Sequence, residues 1–126
     1  MKIIITSDPV KLKIVRKKLL EFINLNKITT LDKDKVILAV DEAIQNIIRH
    51  AYTMQYGCKI EINFSYDKNL TVLLRDYGKQ VPLEEIKPRN LKEVRPGGLG
   101  VHFIKSICKE VIYTHQKKGT LLKLVF

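Results

Sequence analysis

The spacing of hydrophobic and polar positions changes along the chain, and each spacing predicts a different kind of element. "KIIIT" reads as a short strand, and "SDP" after it supplies a helix start, with Ser7 or Asp8 as the N-cap and Pro9 at the first helical position. Apolar residues then recur every three or four positions to about Asn24, which predicts an amphipathic helix. Its apolar face comprises Leu12, Val15, Leu19, Phe22 and Ile23.

A second helix is predicted from Asp32 through "KVILAVDEAIQNIIRHAY", with "YG" at 56 and 57 to end it. Its buried stripe comprises Val36, Val40, Ala43 and Ile47. The following "CKIEINFSYD" alternates strictly, as a strand with one solvated face does, and "LTVLLRD" after the turn "DKN" completes a hairpin. The apolar positions of the first of these strands are Ile60, Ile62, Phe64 and Tyr66.

Residues 79–96 follow no period, which indicates a long loop with room for one helical turn at Leu83 to Ile86. A loop of this length is usually a functional lid or disordered. We then expect a helix from Leu99 to about Glu110, the strand "VIYTHQ", the turn "KKG" and the strand "TLLKLVF". This order predicts an α+β fold, a two-layer α/β sandwich in which three helices cover one face of a mostly antiparallel sheet.

Composition adds that the 126 residues, of which 45% are hydrophobic and 29% charged, form a single domain. No apolar run reaches the length of a membrane span and the start has no signal-peptide pattern, so we expect a cytoplasmic protein with no membrane contact. Cys58 and Cys108 lie far apart with no Cys/His cluster, which favours buried thiols over a zinc site or a disulfide framework.

The formal net charge of +10 favours anionic partners, and nucleic acid, nucleotide and an acidic protein surface all remain open. Part of this charge lies on the outer face of the first predicted helix, which is either a solvated face or a partner-binding surface. The lysines concerned are Lys11, Lys13, Lys17 and Lys18.

Three polar residues share one edge of the second predicted helix. Glu42 and Asn46 are one turn apart and His50 follows one turn later. They form either an ordinary exposed helix edge or a site in which the carboxylate polarises a nucleophile or water while the Asn carbonyl oxygen binds a hard cation such as Mg²⁺.

Other polar residues point towards the predicted core. Asp76 continues the inward parity of Leu70, Val72 and Leu74, so its carboxylate either begins the turn "DYG" or offers an acceptor to the amino group of a ligand. Gly78 would let a ligand ring approach the backbone. Thr120 shares the inward parity of the last strand.

The segment "EVRPGGLGVHFIKSI" matches neither the P-loop nor the dinucleotide GxGxxG pattern. It is either a flexible turn before a helix or a phosphate site, because glycines at a helix N-terminus present free N–H groups and the positive end of the helix dipole.

Taken in order, "DEAIQNIIRHAY", "RDYG", the long loop, "RPGGLGVHFIKSICKEV" and the closing "GT" strand resemble the GHKL ATPase superfamily over essentially the whole chain. Within it the chain is most similar to the anti-sigma-factor serine/threonine kinases of the RsbW and SpoIIAB type. The resemblance implies that residues 1–126 form one histidine kinase-like ATPase domain of the Bergerat fold, with an ATP lid at about 79–97. Gln80 departs from the pattern, since many members have a glycine there.

The resemblance also implies roles for individual residues. Glu42 would be the general base for the acceptor hydroxyl, Asn46 the Mg²⁺ ligand, and Asp76 the acceptor for the adenine amino group. Thr120 and Gly78 would line the base pocket. The implied ATP-binding set is completed by His50, Arg95, Gly97, Gly98, Leu99, Gly100 and Val101, in which Gly98 and Gly100 hold phosphate and Arg95 belongs to the lid.

The partners implied by the resemblance are a sigma factor, held inactive, and a STAS-domain anti-anti-sigma protein that is phosphorylated on serine or threonine, with ATP and Mg²⁺ as cofactors and a homodimer as the expected assembly. One alternative is a non-catalytic module that senses ATP or ADP. A basic nucleic-acid-binding domain is a further alternative, but it leaves the inward polar residues unexplained and no aromatic stacking platform is visible, so we expect no direct nucleic-acid binding.

Overall fold

The computed structural model describes residues 1–82 and 98–126, with side chains in the second range from residue 102 onward. Within these ranges there are three α-helices and five β-strands. The helices are α1 (Leu12–Leu25), α2 (Lys33–Asn46) and α3 (Gly98–Ile107), and the strands are β1 (Lys2–Thr6), β2 (Lys59–Asp67), β3 (Asn69–Asp76), β4 (Glu110–His115) and β5 (Thr120–Val125).

The five strands form one sheet in the order β1-β2-β3-β5-β4, and every neighbouring pair is antiparallel. Alternate positions of β2 and β3 are buried, as their alternating sequences predict. The helices supply the other half of the core, with Leu19, Ile44 and Ile104 fully buried. The predicted two-layer α+β sandwich is therefore confirmed.

Carboxylate caps start the first two helices. The Val10 N–H donates to Asp8 Oδ1 at 3.0 Å and opens a 3₁₀ turn before α1, and the Asp34 N–H donates to Asp32 Oδ1 at 3.1 Å at the start of α2. Ser7 has a different role. It is buried, and its hydroxyl donates to the Gln55 carbonyl at 2.6 Å, which fixes β1 against the loop that precedes β2.

Some predicted boundaries were wrong. The helix expected to reach Tyr52 without change becomes a π-helical turn at Ile47–Ala51, because backbone bonds there span five residues, as from the Tyr52 N–H to the Ile47 carbonyl. The last helix ends at Ile107, and Glu110 already pairs in β4. Tyr66, predicted on the apolar face, is 41% exposed near the end of the β2–β3 hairpin. The helical turn predicted at Leu83 to Ile86 lies outside the described residues.

Among the described residues, no helix combines the length and the apolar composition that a membrane crossing requires.

Candidate functional site

The predicted polar edge of α2 forms a contact network, but one member differs from the prediction. Glu42 and Asn46 are brought together by Arg49, whose Nη2 donates to Glu42 Oε1 at 2.9 Å and to Asn46 Oδ1 at 3.3 Å. Arg49 Nε also donates to the Gln45 carbonyl at 3.4 Å. His50 is exposed, and no hydrogen bond of the described residues joins it to this network.

The π-helical turn explains this difference in geometry. His50 was placed one α-helical turn after Asn46, but the wider turn that begins at Ile47 changes the direction of every side chain after it. Arg49 contacts Asn46 and Glu42 instead. Sequence reasoning overlooked Arg49, although its spacing of seven from Glu42 is two helical turns.

Asn46 is less than half exposed, and its amide nitrogen is buried without a hydrogen-bond partner among the described residues. Buried donors without partners are rare in folded proteins and usually mark a site that another group completes. The free donor and the weakly bonded carbonyl oxygen leave this side chain able to bind a polar ligand.

Asp76 ends β3 on the inner face of the sheet, as its parity predicts, with 4% of its surface exposed. The Gly78 N–H donates to its Oδ1 at 3.0 Å, and Thr120, itself buried, pairs with it in the register of β3 and β5. Burial raises the pKa of Asp76, an effect partly offset by the Gly78 and Thr120 backbones and by Arg75. A carboxylate in this position lacks the donors that would fully stabilise its charge.

Gly78 is required by the packing of the protein itself. A Cβ at this position would lie 2.7 Å from the Ala51 carbonyl carbon and 2.9 Å from Tyr52 Cδ1. The next residue confirms this close approach, since the Lys79 N–H donates to the Ala51 carbonyl at 2.7 Å. The π-helical turn and Tyr52 therefore occupy the Cβ direction of Gly78, and the predicted approach of a ligand ring stays a prediction.

Tyr52 connects the same two segments. Its hydroxyl donates to the Lys59 carbonyl and accepts from the Tyr77 N–H at 2.8 Å. Burial raises the pKa of Tyr52, so the phenol stays neutral and keeps both bonds. Tyr52 and Gly78 together hold the end of β3, and hence Asp76, against the end of the helix that carries Glu42 and Asn46.

The start of the predicted lid is bound to the β4–β5 hairpin. Gln80 Nε2 donates to the Gln116 carbonyl at 2.6 Å and to the Gly119 carbonyl at 3.0 Å, and His115 Nε2 lies 2.9 Å from the Val81 carbonyl oxygen. Gln80, where many family members have glycine, therefore has a structural contact of its own. The remainder of the lid, including Arg95 and Gly97, lies outside the described residues.

Two glycines of the segment "RPGGLG" lie at the start of α3. Gly98 and Gly100 belong to the first turn of α3, whose residues also include Leu99 and Val101. The helix packs on α2, with Ile104 fully buried. The first turn of a helix carries N–H groups that have no intrahelical acceptor, and such groups are the kind of donor that an anion accepts from.

A bidentate ion pair supports the edge of the site. Arg16 of α1 donates through Nε and Nη2 to the two carboxylate oxygens of Asp41, at 2.8 Å each. Asp41 is 8% exposed and immediately precedes Glu42. The pair fixes α1 to the segment of α2 that carries the site, and neither residue was identified from the sequence.

A second charged cluster lies on the opposite face of the sheet. The Tyr77 hydroxyl donates to Glu61 Oε1 at 2.7 Å, and Lys59 and Lys2 lie 3.2 Å and 3.5 Å from the same carboxylate. These donors hold the pKa of Glu61 down to about 2. The chain thus has two carboxylates on adjacent strands with pKa values shifted in opposite directions, and only Asp76 faces the helices.

The described residues include no group of three His, Cys, Asp or Glu side chains arranged to hold a metal ion. A nucleotide-bound Mg²⁺ does not need such a cluster, because Mg²⁺ typically takes one or two protein oxygens and completes its shell with phosphates and water. The weakly bonded Asn46 Oδ1 is an oxygen of the required kind.

Comparison with known proteins identifies the family of the chain. The sequence family described as the histidine kinase-like ATPase domain matches residues 5–126. The serine-protein kinase RsbW of Oceanobacillus iheyensis is 30% identical over 88 residues, which cover 63% of this chain and 56% of that protein. RsbW of Staphylococcus epidermidis is 27% identical over 99 residues, or 70% of this chain and 61% of that protein. The chain therefore spans less than two thirds of these relatives.

Solved structures share the fold at low sequence identity. The RsbU and RsbW domains of a Mycobacterium tuberculosis protein align with 99% of this chain and 32% of that one, with a TM-score of 0.61 and 17% identity. The histidine kinase domain of a blue-light activated histidine kinase from Erythrobacter litoralis aligns with 94% of this chain and 59% of that one, with a TM-score of 0.58 and 14% identity.

The predicted resemblance to GHKL ATPases of the anti-sigma kinase type is confirmed by these matches. Since the family match extends over nearly the whole chain, the protein belongs to the histidine kinase-like ATPase domain family.

Proposed function

We propose that this protein binds ATP with Mg²⁺ and transfers the terminal phosphoryl group to a serine or threonine of a STAS-domain partner. The observation that carries the proposal is Asp76, a buried carboxylate with a raised pKa on the inner face of the sheet. Such a group is costly to keep unless it serves a ligand, and an exocyclic amino group is a donor that would satisfy it.

Each residue has one task in this proposal. Asp76 accepts from the adenine amino group, with Thr120 beside it, and the first turn of α3 directs backbone donors to the phosphates. Asn46 Oδ1 would hold Mg²⁺, which supplies neutralisation of phosphate charge when bound. Glu42 takes the proton of the acceptor hydroxyl. Phosphoryl transfer requires chiefly such positioning and charge neutralisation from a protein.

The proposed partners follow from the family resemblance. By this proposal the protein also sequesters a sigma factor, and it acts as a homodimer. Two curated relatives are named serine-protein kinase RsbW, which supports the transfer reaction without identifying the acceptor protein.

Phosphorylation of a candidate STAS-domain partner tests the proposal. With ATP labelled on the terminal phosphate, wild-type protein should transfer label to the partner. Glu42→Ala should retain ATP binding and lose transfer, because it removes the base but none of the groups proposed to hold nucleotide. Absence of transfer by the wild-type protein, with ATP binding intact, would contradict the kinase proposal.

A second candidate, a non-catalytic ATP or ADP sensor, is favoured by one specific contact. In the structure Glu42 Oε1 accepts a hydrogen bond from Arg49 at 2.9 Å, so this oxygen is already engaged and does not face an acceptor hydroxyl. The same assay distinguishes the two candidates, since a sensor binds nucleotide without transferring label.

A further inference from the structure

Arg49 occupies the position at which a cation would act in the proposed reaction. Its Nη2 lies 2.9 Å from Glu42 Oε1 and 3.3 Å from Asn46 Oδ1, so one guanidinium nitrogen contacts both the proposed base and the proposed metal ligand. The side chains of Arg49 and Glu42 are only 34% and 26% exposed. Neither the proposed phosphoryl transfer nor the family resemblance assigns a role to Arg49.

The backbone explains why Arg49 reaches this position. It lies in the π-helical turn that starts at Ile47, and its Nε is held by the Gln45 carbonyl at 3.4 Å. π-Helical turns are uncommon and often occur at functional sites. Here the guanidinium of Arg49 points back along α2 and contacts Glu42 and Asn46.

Arg49 and a divalent cation would compete for the same oxygen, Asn46 Oδ1. Mg²⁺ requires ligand oxygens at about 2.1 Å, and a guanidinium nitrogen bonded to the same Asn46 oxygen leaves the two cations too close to coexist without strong repulsion. The negative charge of the Glu42 carboxylate attracts Arg49 and Mg²⁺ alike, so it stabilises either cation at this position. Release of Arg49 would also leave Glu42 Oε1 without its present hydrogen-bond donor and open to an acceptor hydroxyl.

We propose that Arg49 is an internal counter-ion that occupies the cation site of the free protein and must be displaced when Mg²⁺ binds with nucleotide. This inference rests on the proposed function. It makes Arg49 a positioning residue: it keeps Glu42 and Asn46 together before nucleotide binds, and its displacement couples metal binding to release of the proposed base.

Calorimetric titration of ADP provides the test, because it requires neither turnover nor a protein partner. Binding is measured with excess Mg²⁺ and with a chelator for the wild-type protein, Arg49→Gln and Arg49→Lys. Lys13→Gln is the matched control, since it removes one positive charge from the exposed face of α1. Circular dichroism confirms that each variant is folded.

Arg49→Gln should bind ADP with Mg²⁺ about fivefold more tightly than the wild-type protein, the change expected when a partly exposed ion pair no longer has to be broken. Without metal its affinity for ADP should be unchanged. Arg49→Lys keeps the charge and should lie between the two, and Lys13→Gln should match the wild-type protein under both conditions.

Two results would overturn the inference while leaving the proposed function intact. Weaker binding of ADP with Mg²⁺ by Arg49→Gln would show that the guanidinium contacts phosphate. Equal binding by all variants would show that the Glu42–Arg49 contact is energetically neutral. If the wild-type protein bound no ADP under either condition, the proposed function itself would fail, and the inference with it.

Discussion

Replacing Asp76 with asparagine should weaken nucleotide binding about 100-fold without destabilising the fold. The substitution preserves shape and removes only the charge of a side chain that is 4% exposed. Its Oδ1 can still accept from the Gly78 N–H, at 3.0 Å in the wild-type protein. The new amide nitrogen then faces the proposed position of the adenine amino group, so that two donors meet.

The loss of affinity can be estimated from the bond that is removed. A hydrogen bond to a charged acceptor contributes about 1.5 to 3 kcal/mol. This range corresponds to roughly a 10- to 150-fold change in affinity, and the meeting of two donors favours its upper end. We therefore expect ATP to bind the variant about 100-fold more weakly.

The effect on stability has the opposite sign. Burial raises the pKa of Asp76 in the folded protein above its unfolded value, so the ionised carboxyl destabilises the fold, and the free energy of unfolding rises as pH falls through this pKa. Asparagine carries no charge and avoids that cost at neutral pH. The variant should thus unfold at the same urea concentration as the wild-type protein or at a higher one.

Calorimetry with ATP and Mg²⁺, together with urea unfolding, measures both quantities. The matched control is Glu61→Gln, a carboxyl-to-amide change on the adjacent strand but on the opposite face of the sheet. It should leave ATP binding unchanged and lower stability by about 1 kcal/mol, because the Tyr77 hydroxyl loses a charged acceptor. Unimpaired ATP binding by Asp76→Asn would refute the assignment of the base site, and a loss of more than about 2 kcal/mol in stability would make Asp76 a structural acceptor.

Further predictions concern packing and pH. Gly78→Ala should destabilise the fold by about 2 to 3 kcal/mol in urea unfolding, because its Cβ would lie 2.7 Å from the Ala51 carbonyl carbon. Gly57→Ala, at a φ of +88° with nothing within 4 Å of the added Cβ, should cost only about 1 kcal/mol, and equal costs would contradict the packing argument. The Glu61 contribution should be complete above about pH 5 and disappear as pH falls to the folded pKa of about 2, so the wild-type protein and Glu61→Gln should converge in stability across this range. A constant difference in stability down to pH 2 would contradict the stabilising role assigned to the Glu61 charge.

Alternation and parity predicted most of the sheet correctly, because burial on one face imposes a period of two on β2 and β3. The same parity predicted the inward direction of Asp76 and Thr120. The burial of Tyr66 was predicted wrongly because the end of β2 is exposed, and parity alone does not indicate where along a strand burial ends.

Helical periodicity was less reliable where the backbone departs from the α-helix. The π-helical turn at Ile47–Ala51 has no signal in the hydrophobic pattern, so His50 was grouped with Asn46 and Arg49 was missed. The Arg16–Asp41 pair joins residues 25 positions apart, and a contact at that separation depends on the packing of α1 against α2. Motif order, by contrast, identified the family from residues that lie apart in the chain.

Competitive binding of ATP and GTP in the presence of Mg²⁺ tests the central claim most directly, because the two nucleotides share phosphates and ribose and differ only in the base that Asp76 is proposed to select. The account predicts saturable binding of one ATP per chain and affinity for GTP at least about 100-fold lower, since guanine places a carbonyl oxygen where adenine has its amino group and would face a carboxylate. Equal affinity for ATP and GTP, or no binding of ATP, would contradict it.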